Sequence, residues 1–301
     1  MTPKLLFIVG PTAIGRTGLA INLAKQFNCE IISADSRQFY KDIPIGTAAP
    51  DVLEQNGVPH HFIGHLELEE TWSAAKFSEE AKKVIANQKQ KDLTIVVGGS
   101  GFYLHALEYE LDDIPDIPPT YRENLNIELE EKGLNALQKE LQEKDPDYYA
   151  EVDLNNPQRV IRALEVIRAT GQSFSKFRSN KPLKSDFEIL KIGLELPREI
   201  LYDRINKRVD IMLKNGMLDE AKKTFSKRHL NSLNTVGFKE LYQYLSGNCS
   251  IEEAVEEIKK NTRRFAKRQI TWFKRTEDLR QFHPDQTEQI ISLVKSTFKL
   301  P

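Results

Sequence analysis

The chain reads as an α/β protein, a parallel sheet flanked by helices and carrying an all-helical insertion domain, and three observations predict it. Short apolar runs rich in β-branched residues at 5–9, 30–33 and 93–97 alternate with stretches of helical spacing, the order expected when helices cover both faces of a parallel sheet. A Pro- and Asp-rich break at 112–119 and a polar break at 179–185 enclose a block, from 119 to about 171, whose periodicity is helical only. Residues 188–196 then return to strand-like sequence. The helical block is therefore expected to interrupt one parent domain, with the core at 1–112 and 183–301 and the insertion at 113–182.

Each element has its own signal. Residues 5–9 end at Gly10-Pro11, which stops a buried strand. Residues 16–27 place Leu19, Ala20, Leu23, Ala24 and Phe27 at helical intervals. A second strand follows at 30–33, a helical stretch at 72–90, and a third strand at 93–97 that halts at Gly98-Gly99. The last hundred residues read as helical, without internal repeats or low-complexity tracts.

Composition bounds the function. The 301 residues, 40% hydrophobic, can bury a core, and a negative mean hydropathy argues against a membrane protein. No run approaches the ~18 apolar residues of a spanning helix, and the short apolar run after Met-Thr-Pro-Lys is not a secretory signal. Cys29 and Cys249 have neither zinc-ligand nor disulfide-framework spacing. A cytoplasmic monomer is expected, there being no coiled-coil pattern. A net charge of −1 does not by itself indicate a polyanionic partner.

The chemistry begins at the first strand-to-helix turn. Gly10-Pro11-Thr12-Ala13-Ile14-Gly15-Arg16-Thr17 matches the phosphate-binding pattern G-x-x-x-x-G-K-[ST], except that Arg16 stands where lysine is expected. Glycines let backbone N–H groups close around phosphate oxygens at a helix N-terminus, and Thr17 offers a hydroxyl for Mg²⁺. The fold expected is thus a P-loop NTPase-like parallel sheet. Kinases of this class place an Asp after another apolar strand, but the strand at 93–97 ends in Gly98-Gly99-Ser100-Gly101. The acid appears instead as Asp35, after the second strand, in Asp35-Ser36-Arg37-Gln38. A strand's C-terminal end faces the crevice where ligands bind in open α/β sheets.

These residues, with Ile45-Gly46-Thr47-Ala48-Ala49-Pro50, Val58-Pro59-His60-His61, Gly98 with Tyr103, Asn155 through Val166, Gly237 with Glu240, and Thr262 through Phe273, resemble the tRNA dimethylallyltransferase family nearly end to end. The resemblance implies transfer of a dimethylallyl group from dimethylallyl diphosphate to the exocyclic N6 of the adenosine beside the anticodon, with release of diphosphate. That amine is a poor nucleophile, so catalysis must stabilise the leaving group and remove the amine proton. The resemblance gives Asp35 the role of general base, Ser100 a place near the reacting centre, and Arg208 a second clamp on the diphosphate beside residues 10–17. It implies Mg²⁺ on Thr17. It also implies tRNA contacts, through the anticodon stem-loop, at Asp35, Ser36, Arg37, Gln38, Ser100, Arg122, Gln158, Arg159, Val160, Ile161 and Arg162. The run from Lys259 to Arg268, six cations without an acid, reads beside these as a phosphate-contact surface. A base acted on by an enzyme is turned out of its stack, most cheaply from a loop.

Ile14 for serine, Arg16 for lysine, Ala49 for lysine and Ser100 for threonine depart from the family pattern. They leave two alternatives: a catalytically weakened tRNA-binding paralogue, or a P-loop small-molecule kinase.

Overall fold

A computed structural model describes residues 2–88, 93–178 and 183–301. The sequence break at 179–182, and with it the expected boundary at 182, lies outside the described residues, as do positions 89 and 90 at the end of the expected helix 72–90. The chain divides into two compact units, 1–108 with 185–301, and 109–184.

In the first unit six strands, β1 (Lys4–Val9), β2 (Glu30–Ser33), β3 (His60–His61), β4 (Leu93–Gly98), β5 (Glu188–Leu194) and β6 (Leu279–Phe282), form one sheet in the order β3-β2-β4-β1-β5-β6. Every pairing is parallel, with Lys4 opposite both Leu93 and Glu188. The middle of the sheet is buried on both faces, so β1 and β4 run almost continuously apolar rather than alternating. Leu5, Phe7 and Val9 pack into one apolar layer with Val96, whereas Leu6 and Ile8 pack into the other with Ile95, Ile192 and Leu194. The helices Arg16–Gln26, Ala74–Asn87, Arg198–Lys214 and Ile251–Phe273 flank this sheet.

β6 was not anticipated in the last hundred residues, and its sequence explains the omission. Leu-Arg-Gln-Phe is an edge strand with two exposed central residues and carries no apolar run. β3 is only two residues long.

The second unit is built from the helices Pro119–Lys132, Leu134–Lys144, Pro146–Glu151 and Pro157–Thr170. The helix Pro157–Thr170 starts at Asn156, whose side chain accepts from the N–H groups of Gln158 and Arg159, and stops at Gly171 in a left-handed conformation. Val160, Ile161, Ala163, Leu164 and Val166 from this helix meet Leu125, Leu137 and Leu141 in a core of their own. Arg168 ties the unit together by donating to Glu128 and Glu140, which lie on two other helices.

Candidate active site

The loops leaving β1, β2 and β4 at their C-terminal ends converge, as the strand order requires. β1 and β4 are neighbours but their onward connections diverge, leaving a crevice at the point where the order reverses. The β1 loop is bent by left-handed backbone at Ala13 (φ 63°) and Gly15 (φ 106°). That alternation turns successive N–H groups toward a common centre, a concavity suited to an anion. Gly15 also begins the helix Arg16–Gln26, whose first turn contains no acidic residue, so the positive end of the helix faces the loop uncompensated.

Ile14 does not point at this concavity. It is 1% exposed and belongs to the apolar layer beneath the sheet, so its contribution to a phosphate reduces to its N–H. The hydroxyl that a serine would bring is replaced by packing.

Arg16 is held inside the protein. Its Nη1 is buried without a hydrogen-bond partner, and its Nη2 lies 4.0 Å from Asp35 Oδ2. Burial pulls the guanidinium down to about 10, opposed by Asp35 and assisted by the nearby charge of Arg208. A buried unsatisfied donor on a cation is costly, and an incoming phosphate oxygen would relieve it. Space for the guanidinium exists because residue 99 is glycine: a Cβ there would collide with Arg16 Nη1 and Gln269 Nε2.

Arg208, from the helix Arg198–Lys214, donates to Thr12 Oγ1 at 3.2 Å. It too is lowered by burial, with Asp35 opposing. Asp35 accepts from the N–H of Arg37 at 3.2 Å, and Ser36 N–H donates to Ser100 Oγ at 3.1 Å, which joins the β2 and β4 loops. Two cavities meet along this line. One, of about 770 Å³, is bordered by residues 12–18, Asp35 and Arg208. The other, of about 590 Å³, has apolar walls that include Val209, Met212, Phe265 and Trp272, and it reaches Ser100. Thr12, Ala13, Asp35, Thr47 and Arg208 border both.

Arg37 and Gln38 spend their polar groups on the fold. Arg37 donates to the carbonyls of Asn231 and Ser232, and Gln38 Nε2 donates to that of Ala48 at 3.0 Å. They shape the loops around the cavities.

In the second unit, Arg122 and Arg162 both pair with the buried Glu165. Gln158 and Arg159 lie exposed at the start of the same helix. Val160 and Ile161 correct the sequence reading, because both are 0% exposed in the unit's core and their side chains have no surface to offer an RNA. The basic run is corrected as well. Lys259 pairs with Asp210 and Glu256, Lys260 with Glu257, and Arg263 donates to Asn206, so the run is not one free cationic face. Arg268 borders the 590 Å³ cavity.

Two polar residues to which the sequence attached no role bear on the site. Gln269 is 5% exposed and bridges the β1 and β4 loops. Glu220 accepts from the N–H groups of Ile45 and Gly46 at 2.8 and 2.7 Å and so holds the turn that carries Thr47. Burial pushes its carboxyl up, against those two hydrogen bonds.

The sequence matches the IPP transferase family over residues 38–276. It is 47% identical to a tRNA dimethylallyltransferase of Christiangramia forsetii, covering 97% of each chain. It is 45% identical to tRNA dimethylallyltransferase 1 of Bacteroides thetaiotaomicron, covering 97% of this chain and 96% of that one. The fold is similar to the crystal structure of tRNA isopentenylpyrophosphate transferase from Bacillus halodurans, with a TM-score of 0.72 and 38% identity over 98% of this chain and 97% of that one. It is also similar to a eukaryotic dimethylallyltransferase acting on tRNA, with a TM-score of 0.82 and 29% identity over 98% of this chain and 79% of that one.

Proposed function

This chain belongs to the IPP transferase family, and on that premise we propose that it transfers a dimethylallyl group from dimethylallyl diphosphate to N6 of the adenosine beside the anticodon of tRNA. The observation that carries the reading is the position of Asp35. Its carboxylate borders both cavities, the one rimmed by the phosphate loop and the one with apolar walls.

The residues divide the work by chemistry. The N–H groups of residues 13–17, the unsatisfied Nη1 of Arg16 and the guanidinium of Arg208 take the diphosphate. Arg16 and Arg208 stabilise the negative charge that grows on it as the carbon–oxygen bond breaks. Low solvent access strengthens these contacts. The apolar walls keep water from the allylic carbon, which would otherwise be captured as an alcohol. As the N6–carbon bond forms, Asp35 accepts the proton from the amine. Ser100, bonded to the Ser36 N–H, fixes the β2 loop on which Asp35 stands.

Thr17 presents a hydroxyl to the phosphate cavity, a hard oxygen donor that suits Mg²⁺, which takes few protein ligands and completes its shell with water and phosphate. Among the described residues no group of three or more His, Cys, Asp or Glu is assembled elsewhere for a metal. Bound there by Thr17, the ion would offset charge on the departing diphosphate.

Arg122, Gln158, Arg159 and Arg162 are proposed to hold the anticodon stem-loop. Glu165 aligns Arg122 and Arg162 and leaves that pair a net positive charge for phosphate.

The test is transfer of label from dimethylallyl diphosphate to unmodified tRNA, followed by digestion to the nucleoside. Wild-type protein should place the label on N6 of adenosine, and Asp35→Asn should bind both substrates yet lower kcat by ~10²-fold or more, the scale of a lost general base. Label left unincorporated by wild-type enzyme, or an Asp35→Asn variant with undiminished kcat, refutes the assignment.

A further inference from the structure

Gln269 lies on the long helix Ile251–Phe273, far in sequence from either glycine-rich loop, yet both polar atoms of its side-chain amide are bonded to those loops. Its Oε1 accepts from the N–H of Thr12 at 2.9 Å, and its Nε2 donates to the carbonyl of Gly99 at 3.0 Å. The side chain is 5% exposed. One planar amide thus supplies the acceptor for one loop and the donor for the other.

The arrangement has two effects on the site. The N–H of Thr12, which a phosphate loop could otherwise turn toward its anion, is committed to Gln269, so the seat for the diphosphate begins at residue 13. The hydroxyl of the same Thr12 is thereby fixed, and it is the acceptor for Arg208 Nη1 at 3.2 Å. A path of two hydrogen bonds therefore runs from the helix Ile251–Phe273 through Thr12 to the Arg208 guanidinium. On its other side, Gln269 anchors the backbone of Gly99, the residue whose missing side chain makes room for Arg16.

Resting on the reaction assigned above, we propose that Gln269 is a positioning residue for diphosphate recognition, aiming Arg208 through Thr12 and Arg16 through Gly99. Gln269 borders the 590 Å³ cavity and acts on the diphosphate through those two cations. Its function is to hold both cations in the geometry the diphosphate needs before the diphosphate arrives, which lowers the ordering cost of binding.

The experiment is a double-mutant cycle of Gln269→Met and Thr12→Val, read by calorimetric binding of inorganic diphosphate and by steady-state transfer. Methionine keeps the volume and removes both hydrogen bonds, whereas valine keeps the Thr12 N–H and removes the acceptor of Arg208. Gln269→Met is expected to weaken inorganic diphosphate binding and raise KM for dimethylallyl diphosphate by about tenfold, the scale of one to two buried hydrogen bonds. Affinity for an anticodon stem-loop should be unchanged. In the double variant the loss should fall well short of the product of the single losses, because both substitutions cut the same path.

Losses that multiply overturn the proposal, as does an equal loss of stem-loop affinity in Gln269→Met. If Gln269→Met fails to fold, Thr12→Val alone decides, since it cuts the path from the loop side. Severalfold weaker diphosphate binding supports the path, and unchanged binding refutes it. Protein that binds inorganic diphosphate but transfers nothing to tRNA overturns the assigned reaction instead, and the cycle is then read from binding alone.

Discussion

Residue positions at the crevice are set by what has no side chain as much as by what has one. A Cβ on Gly98 would drive into the backbone carbonyl of Ala34 on the adjacent loop, which cannot yield as a flexible side chain can. Gly98→Ala should therefore destabilise the protein by several kcal/mol, on the order of other severe core overpacking, and lower its melting temperature. Gly99→Ala meets side chains instead, Arg16 and Gln269. It should leave more of the fold intact while removing diphosphate binding, a contrast that calorimetry and a thermal melt measure together. Glu220→Gln replaces a carboxylate that accepts two N–H bonds with an amide that accepts one and opposes a donor to the other. A loss of about 1–3 kcal/mol follows from one buried unsatisfied N–H, measurable by urea unfolding. Arg16 and Thr17 follow the Gly10–Gly15 turn, Ser100 follows Gly98-Gly99, and Asp35 follows an apolar strand, so each carries a local sequence signal. Gln269 stands inside the resembling segment Thr262 through Phe273, but nothing in the sequence joins it to Thr12 or Gly99, and Glu220, whose partners also lie far away in sequence, has no local signature.

Among the elements, the helix Ile251–Phe273 spans 23 residues, roughly 34 Å at the rise of an α-helix, and borders the apolar cavity from Ile258 to Trp272, leaving its first turns outside the site. Its start is a capping box, with Ser250 accepting from the Glu253 N–H and Glu253 accepting from the Ser250 N–H. Ser250→Ala should cost about 1 kcal/mol of stability with KM unchanged, which separates support of the helix from support of the site. In the helical unit, Arg168 reaches Glu128 and Glu140 and so clasps three helices. Its hydrogen bonds hold the Glu128 carboxyl down to about 2, and Glu140 is lowered by the same cause. A carboxylate lowered in the folded state stabilises above its ordinary value of 4.5, and this contribution is lost as pH falls from there toward 2. Arg168→Met should therefore be less stable at neutral pH and lose less on acidification across that window, as urea unfolding at a series of pH values will show. Helices were readable from periodicity, and central strands from short apolar runs. β6 was not, since an edge strand with polar central residues presents no period-two pattern to recognise.

At the scale of the whole molecule, the insertion leaves and rejoins the α/β unit at adjacent points. Ser185 N–H and its hydroxyl both donate to the Glu108 carbonyl, at 2.8 and 2.9 Å, and Glu108 itself pairs with Lys191 at 2.5 Å. Replacing residues 109–184 with a short Gly-Ser linker should therefore leave a unit that unfolds cooperatively and still binds inorganic diphosphate, while transfer to tRNA disappears. A failure to fold would show that the unit depends on the insertion. Sequence alone sets the insertion at 113–182, from a Pro- and Asp-rich break and a polar break that bracket a change of periodicity, and the structure's compact unit is 109–184.

The insertion's own ends are clasped by the Glu110 N–H on the Leu183 carbonyl at 2.8 Å and by the bridge between Tyr109 and Lys184. This has a kinetic consequence. β5 must find β1, with Glu188 beside Lys4, across nearly two hundred residues, and closure of so long a loop is slow and entropically costly. Once the helical unit has formed, its clasped ends take residues 109–184 out of that detour, leaving 10–108 to be spanned. Refolding of the sheet should therefore track the order of the helices, and conditions that melt the helical unit alone should slow assembly of a sheet to which it contributes no strand.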